Sequence, residues 1–182
     1  MIEIRMHGRG GQGAVVACKI LASALFKEGK FAQSFPAFGV ERRGAPVQAF
    51  TRVDDKPINL RTEIYEPDLL VVLDPTLLQT VDITKGLKPG GKVLINTALP
   101  LSSFDLPDTF DIKTIDASKI ALHNKLGSVS QPIVNTAILG AFSKFTGVVG
   151  IDAVLEAIKE SVPIKPEANA QAALDAYQQF NN

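Results

Sequence analysis

The chain has 182 residues, the length of one domain, and its 46% apolar and 21% charged content belongs to a folded globular protein rather than a disordered one. Nineteen basic residues balance nineteen acidic ones, so nothing in the net charge draws the chain to nucleic acid or an acidic membrane. Its single cysteine, Cys18, can form no internal disulfide and cannot supply the four thiolates an iron–sulfur cluster takes, and with only two histidines a structural zinc site lacks ligands. No apolar run approaches the roughly 18 residues of a membrane span. Met1 to His7 has none of the character of a secretory signal, so the expected location is cytoplasmic. There is no tryptophan and no hint of a base-stacking platform.

Ile2, Ile4 and Met6 alternate with Glu3, Arg5 and His7, which predicts a strand. A glycine-rich turn follows, and Ala14 to Glu28 reads as a helix ended by Gly29. Phe31 to Phe35 is a short strand, and Pro36 to Pro46 a loop. Val47 to Val53 and Pro57 to Arg61 read as two strands joined by Asp54-Asp55-Lys56, a hairpin. The unbroken apolar run Leu69 to Leu73 fits a strand covered on both faces. Pro89-Gly90-Gly91 turns the chain into a strand from Lys92 to Asn96, and Ile112 to Ile115 is a weaker one. Ile133 to Phe145 reads as a helix apolar on nearly every side, hence buried. Ile151, Val154, Leu155, Ile158 and Val162 form one helical stripe; Ala170, Ala173, Leu174 and Tyr177 form another. The alternation describes a single α/β domain over residues 1–182. Its three α/β/α layers are built on a mostly parallel, mixed sheet with an inserted hairpin. Strand order is not legible.

Gly8, Gly10 and Gly13 match G-x-G-x-x-G between a strand and a helix. Such a turn lets backbone N–H groups approach an anion at the positive end of a helix dipole. A dinucleotide site also needs an acidic residue near the end of the second strand, and here that strand ends Gln33-Ser34-Phe35. Ala14-Val15 after Gly13 rules out a P-loop. Three readings of the turn remain: a dinucleotide site in a stand-alone Rossmann-like nucleotide-binding protein, against which the missing carboxylate speaks; glycines needed for packing alone; or an anion or cofactor contact of another kind. The second unusual stretch is Phe35 to Arg52, FPAFGVERRGAPVQAFTR. Phe35, Phe38 and Val40 are too apolar for a solvated loop, so they either pack under the glycine loop or form an interface or site.

These motifs together carry a resemblance. His7-Gly-Arg-Gly-Gly-Gln-Gly13, Phe35-Pro-Ala-Phe-Gly-Val-Glu-Arg-Arg-Gly44-Ala-Pro, and Pro67-Asp68 running into Val71-Val72-Leu73-Asp74 resemble the gamma subunit of the 2-oxoacid:ferredoxin oxidoreductases, the pyruvate enzyme above all. The likeness continues through Gly90-Gly91, Asn96-Thr97 and Asn135 to Phe142, and into the final helix around Asn169. It implies a complex that decarboxylates a 2-oxoacid on thiamine diphosphate with magnesium. Electrons pass through iron–sulfur clusters to ferredoxin, and the acyl group passes to coenzyme A as co-substrate. Nothing in this chain holds those cofactors: it has no Gly-Asp-Gly thiamine motif, and one cysteine forbids the clusters. The resemblance therefore implies thiamine-binding and cluster-binding partner chains, while the balanced charge and the absence of a long apolar run speak for no nucleic acid or membrane partner. This chain is left to position, bind or assemble.

On that footing the candidate cofactor-binding residues are Gly8, Arg9, Gly10, Gly11, Gln12 and Gly13, with Glu41 and Arg42 from the second loop; no catalytic or metal-ligating residue is named. Arg9 suits phosphate or carboxylate. Glu41 and Arg42 form a bracing ion pair, or reach across to another subunit or to coenzyme A. His7 either bonds an anion or partner carbonyl or only ends the strand. Asn135 bonds backbone of the glycine loop or a neighbouring loop, or caps a helix near Pro132. Asp74 stands at a strand end where α/β sites form, or merely starts the Pro75 turn. Cys18 reads as a small buried hydrophobe, and His123 as solvent-facing.

Overall fold

The computed structural model describes residues 1–37 and 43–181. Six strands, β1 (Ile2–Arg9), β2 (Phe31–Pro36), β3 (Pro46–Asp54), β4 (Leu69–Val72), β5 (Lys92–Asn96) and β6 (Asp111–Ile115), form one sheet in the order β2-β3-β1-β4-β5-β6. β1, β4, β5 and β6 run parallel, while β3 is antiparallel to both β1 and β2. The mixed, mostly parallel α/β sheet is thus the one expected.

The inserted antiparallel element is built differently from its sequence reading. Residues 57–61 form no strand. Both edges of β3 are already taken, by β1 and β2, so no third partner can join. The Asp54 carboxylate also accepts the N–H groups of Asp55 (2.8 Å) and Lys56 (3.3 Å), bending the chain away.

One sheet face carries the α-helices: α1 (Ala14–Lys27), α2 (Ala117–His123), α3 (Ala137–Thr146), α4 (Ile151–Ser161) and α5 (Pro166–Gln179). Their apolar stripes share a core with Ile4, Met6, Ala49, Val53, Val71, Leu73 and Leu94 of the sheet. The helix expected from Ile133 begins at Ala137. Ile133 N–H still bonds Leu126 O (3.2 Å) beside the small hairpin of β7 (Gly127–Ser128) and β8 (Gln131–Pro132), which holds the chain extended. α2 had escaped the periodicity because it is short, although Asp116 caps it by accepting from Lys119 N–H at 2.8 Å.

The third layer is irregular. Leu70, Val72, Val93, Ile95 and Ile112 are covered by Ile83, Leu87 and neighbours from a 3₁₀ turn at Pro75–Gln79 and loops, not by α-helix. Loop backbone under a sheet needs donors for its carbonyls. The polar side of β1 and β3 supplies them: Arg5 Nη2 donates to Ile83 O (2.9 Å) and Lys85 O (2.7 Å), and Arg52 Nη2 donates to Glu63 O (3.2 Å). Arg5 of β1 and Arg52 of β3 are therefore buried, at 6% and 1% exposure. Phe35 belongs to this layer, 5.3 Å from the Phe50 ring and beneath the Arg52 guanidinium. Among the described residues no helix is long and apolar enough to cross a membrane.

Candidate functional site

The connections diverge at the neighbouring parallel strands β1 and β4: β1 leads through α1 to β2, while β4 leads to β5. In open α/β sheets the crevice beyond the strand ends at such a divergence is where ligands bind. The glycine loop occupies that position.

Three of the loop's glycines are required by their surroundings or their backbone. A Cβ at Gly8 would press on Leu73 and Ala14 at 3.3 and 3.4 Å, so that position serves close packing. Gly11 and Gly13 have φ of +96° and +79°, in the left-handed region that side chains avoid. Gly13 is the N-cap of α1; no side chain caps that terminus and no acid stands in its first turn. The helix thus presents uncompensated N–H groups and positive dipole.

Arg9 and Gln12 fold back on the strand end. Gln12 Oε1 accepts from Arg9 N–H (2.7 Å), and its Nε2 donates to Asp74 Oδ2 (2.8 Å). Arg9 pairs with Asp74 (Nε to Oδ2, 3.2 Å), donates to Thr76 Oγ1 (2.8 Å) and reaches Gly44 O (3.1 Å). Thr76 in turn donates its N–H to Asp74 Oδ1 (3.0 Å), which caps the 3₁₀ turn. Partial burial works to raise the Asp74 carboxyl. The bonds from the Thr76 hydroxyl, the Gln12 amide and Thr76 N–H, with the Arg9 charge, outweigh it and hold the group below its ordinary range. Asp74 therefore both starts the Pro75 turn and anchors the glycine loop. Thr76 was missed in the sequence; the only signal was its spacing from Asp74, which suits an Asx turn.

The two motifs meet. Gly10 N–H donates to Ala45 O (2.9 Å) and Gly44 N–H donates to Gly10 O (3.0 Å), stitching the glycine loop to the start of β3. Glu41 and Arg42, with Phe38 and Val40, lie outside the described residues. His7 does not face the crevice as a donor to an anion. It is 3% exposed, and its Nε2 accepts from Arg5 Nε at 3.1 Å. Burial, then the Arg5 charge, pushes its pKa down to about 3, so it is neutral. Cys18 is fully buried with its thiol pushed up to about 12 by burial, an inert packing residue, and His123 is exposed. Asn135 lies against Gly13 without bonding its backbone. Among the described residues no three His, Cys, Asp or Glu side chains gather into a metal site.

The strand beside β1 on the other side, β3, runs antiparallel, and β2 is one strand further out. The adjacent parallel strand whose end would carry a ribose-binding carboxylate in a dinucleotide fold is absent from this position. What the fold and loop define is an α/β domain with an anion-ready crevice and no ordinary dinucleotide apparatus.

Residues 3–179 match the family described as pyruvate ferredoxin/flavodoxin oxidoreductase. The chain is 57% identical to the pyruvate/ketoisovalerate oxidoreductases common subunit gamma of Thermococcus kodakarensis, over 97% of this chain and 96% of that one. It is 53% identical to the pyruvate synthase subunit PorC of Methanothermobacter marburgensis, over 100% and 99%. Its structure resembles the pyruvate oxidoreductase subunit PORC of Thermotoga maritima, with TM-score 0.81, 36% identity, and coverage of 97% and 95%. The chain belongs to the pyruvate ferredoxin/flavodoxin oxidoreductase family, as a gamma subunit.

Proposed function

We propose that this gamma subunit lines the coenzyme A side of the thiamine site in an assembled pyruvate:ferredoxin oxidoreductase, using the Gly8–Gly13 loop together with Glu41 and Arg42 of the 35–52 loop. Thiamine diphosphate, magnesium and iron–sulfur clusters sit in the partner chains and supply decarboxylation and electron transfer to ferredoxin. This chain contributes binding and orientation of the co-substrate. One observation carries the reading: the N-terminus of α1 opens at the strand-end crevice with no capping side chain and no acid in its first turn. An anionic group such as a phosphate fits it. The Arg9–Gln12–Asp74 lattice holds the loop in shape, and the Arg9 fork has N–H donors beyond those bonds.

A pure scaffold is the second reading, favoured by the same internal use of Arg9. The two part in the whole complex. For a site-lining loop, Arg9→Ala or Arg42→Ala removes a charge-assisted contact of ~1.5–3 kcal/mol, raising the KM for coenzyme A or lowering kcat/KM about 10- to 150-fold. Arg→Lys recovers part of the loss, and assembly and cluster content stay normal. Weakened assembly with ordinary kinetics in the surviving complex means a scaffold.

A further inference from the structure

The carboxamide of Asn135 is buried where two helix N-termini meet. Asn135 directly precedes Thr136, the N-cap of α3, and its Nδ2 lies 2.5 Å from where a Cβ on Gly13, the N-cap of α1, would stand. Neither terminus has a side-chain cap or a first-turn acid. Thr136, the residue best suited to cap α3, instead donates its hydroxyl to Asn169 Oδ1 at 2.8 Å. Asn135 is only 9% exposed, yet its Oδ1 has no hydrogen-bond partner in the chain. A buried acceptor left unpaired costs stability, and folded chains keep few of them. At α3 the Ile138 and Leu139 N–H groups are already taken by Val134 O (3.0 Å) and Thr136 O (3.1 Å), but the open N-terminus of α1 with an unpaired buried amide beside it is poorly explained by folding alone.

We infer that Asn135 is the ligand-reading side chain of this crevice: the N-terminus of α1 binds an anionic oxygen, and Asn135 beside it accepts through Oδ1 a hydrogen bond from a donor on the same molecule. The ligand class is a phosphate ester that also carries an N–H or O–H group. This rests on the reading above, in which the ligand is coenzyme A, whose pyrophosphate supplies the anion and whose amide arm supplies the donor. Asn135 takes no part in bond making; it sets affinity and orientation.

The test uses the assembled complex, with the full chain melted in parallel. Asn135→Leu removes an unpaired buried acceptor, so the ligand-free chain should melt at the same temperature or higher. In the complex the KM for coenzyme A should rise about tenfold or more. kcat at saturation, and pyruvate-dependent cluster reduction without coenzyme A, should be unchanged. Asn135→Asp, nearly the same size, puts a carboxylate where the anion binds and should weaken binding further; it carries the test if the leucine variant does not fold. Inorganic pyrophosphate bears only the anion and pantetheine only the donor, and as a competitor pantetheine should bind Asn135→Leu more weakly than wild type. A lowered melting temperature with unaltered KM assigns Asn135 to structure and overturns the inference, as does unaltered KM alone. Unaltered pantetheine binding overturns the acceptor role. If Gly10→Val weakens coenzyme A binding while the Asn135 variants do not, this inference fails and the loop reading survives; if none of them does, both fail.

Discussion

At the scale of single residues, the most informative side chain is one that does no chemistry. His7 stands next to the glycine loop, where an imidazole would suit an anion, but the structure spends it inward as an acceptor for Arg5. Its pKa lies at about 3 instead of the ordinary 6.5, through burial first and the Arg5 charge second. Between those values the unfolded chain binds a proton that the folded chain does not. Stability from this group is therefore complete above about pH 6.5 and drains away as pH falls toward 3, by about 1.4 kcal/mol per unit. Asp74 acts lower: its carboxyl is depressed below the ordinary 3.8, so its stabilisation is lost only as pH falls below that value. Urea titrations between pH 4.5 and 6.5 thus isolate His7. His7→Gln keeps an acceptor for Arg5 and should flatten the dependence across that window. Equal slopes for the two proteins would mean that His7 titrates normally.

At the scale of elements, the helical layer depends on a close crossing of α3 and α5. A Cβ at Gly140 would land on the carbonyl oxygen of Ala173, so the two helices meet backbone to backbone. The same region is almost entirely apolar and buried, with Ile138, Leu139, Ala141 and Phe142 at no more than 1% exposure. Such a core cannot part without breaking other contacts. Gly140→Ala gains about 1 kcal/mol of helix propensity. It should nonetheless lower stability by about 1–3 kcal/mol through overpacking, read as a shifted denaturant midpoint with unchanged slope. An unshifted or raised midpoint would show that the helices separate freely. β3 carries the opposite lesson. Its residues predicted a strand, but which neighbours it takes is a property of the sheet, and β1 and β2 occupy both its edges, leaving none for residues 57–61.

At the scale of the molecule, one face of the sheet is a conventional helical layer and the other is chain without α-helix, pinned by buried arginines. Among the described residues no three His, Cys, Asp or Glu side chains gather into a metal site, and the sequence has one cysteine. The purified chain alone should be colourless and give no turnover with pyruvate, coenzyme A and a viologen acceptor. Iron and labile sulfide in stoichiometric amount, or activity without partner chains, would contradict the division of labour proposed here. Absorbance, metal analysis and assay of one preparation are enough.

Local pattern determined much of this protein by itself. The alternation in β1, the apolar run of β4 and the stripes of α4 and α5 each repeat with the period of one element, and one period needs no partner to be read. The glycine loop was equally legible, because glycine takes the left-handed backbone found at Gly11 and Gly13 without the steric cost a side chain brings. Its motif companions marked the family. What sequence could not supply were relations between distant segments. The strand order, the burial of Arg5 and Arg52, the Asp74–Thr76 anchor under Arg9, and the seat of Asn135 against Gly13 all depend on contacts between segments separated along the chain. Their partners are chosen by competition for sheet edges, for donors and for space, and that competition is decided only when the whole chain has packed.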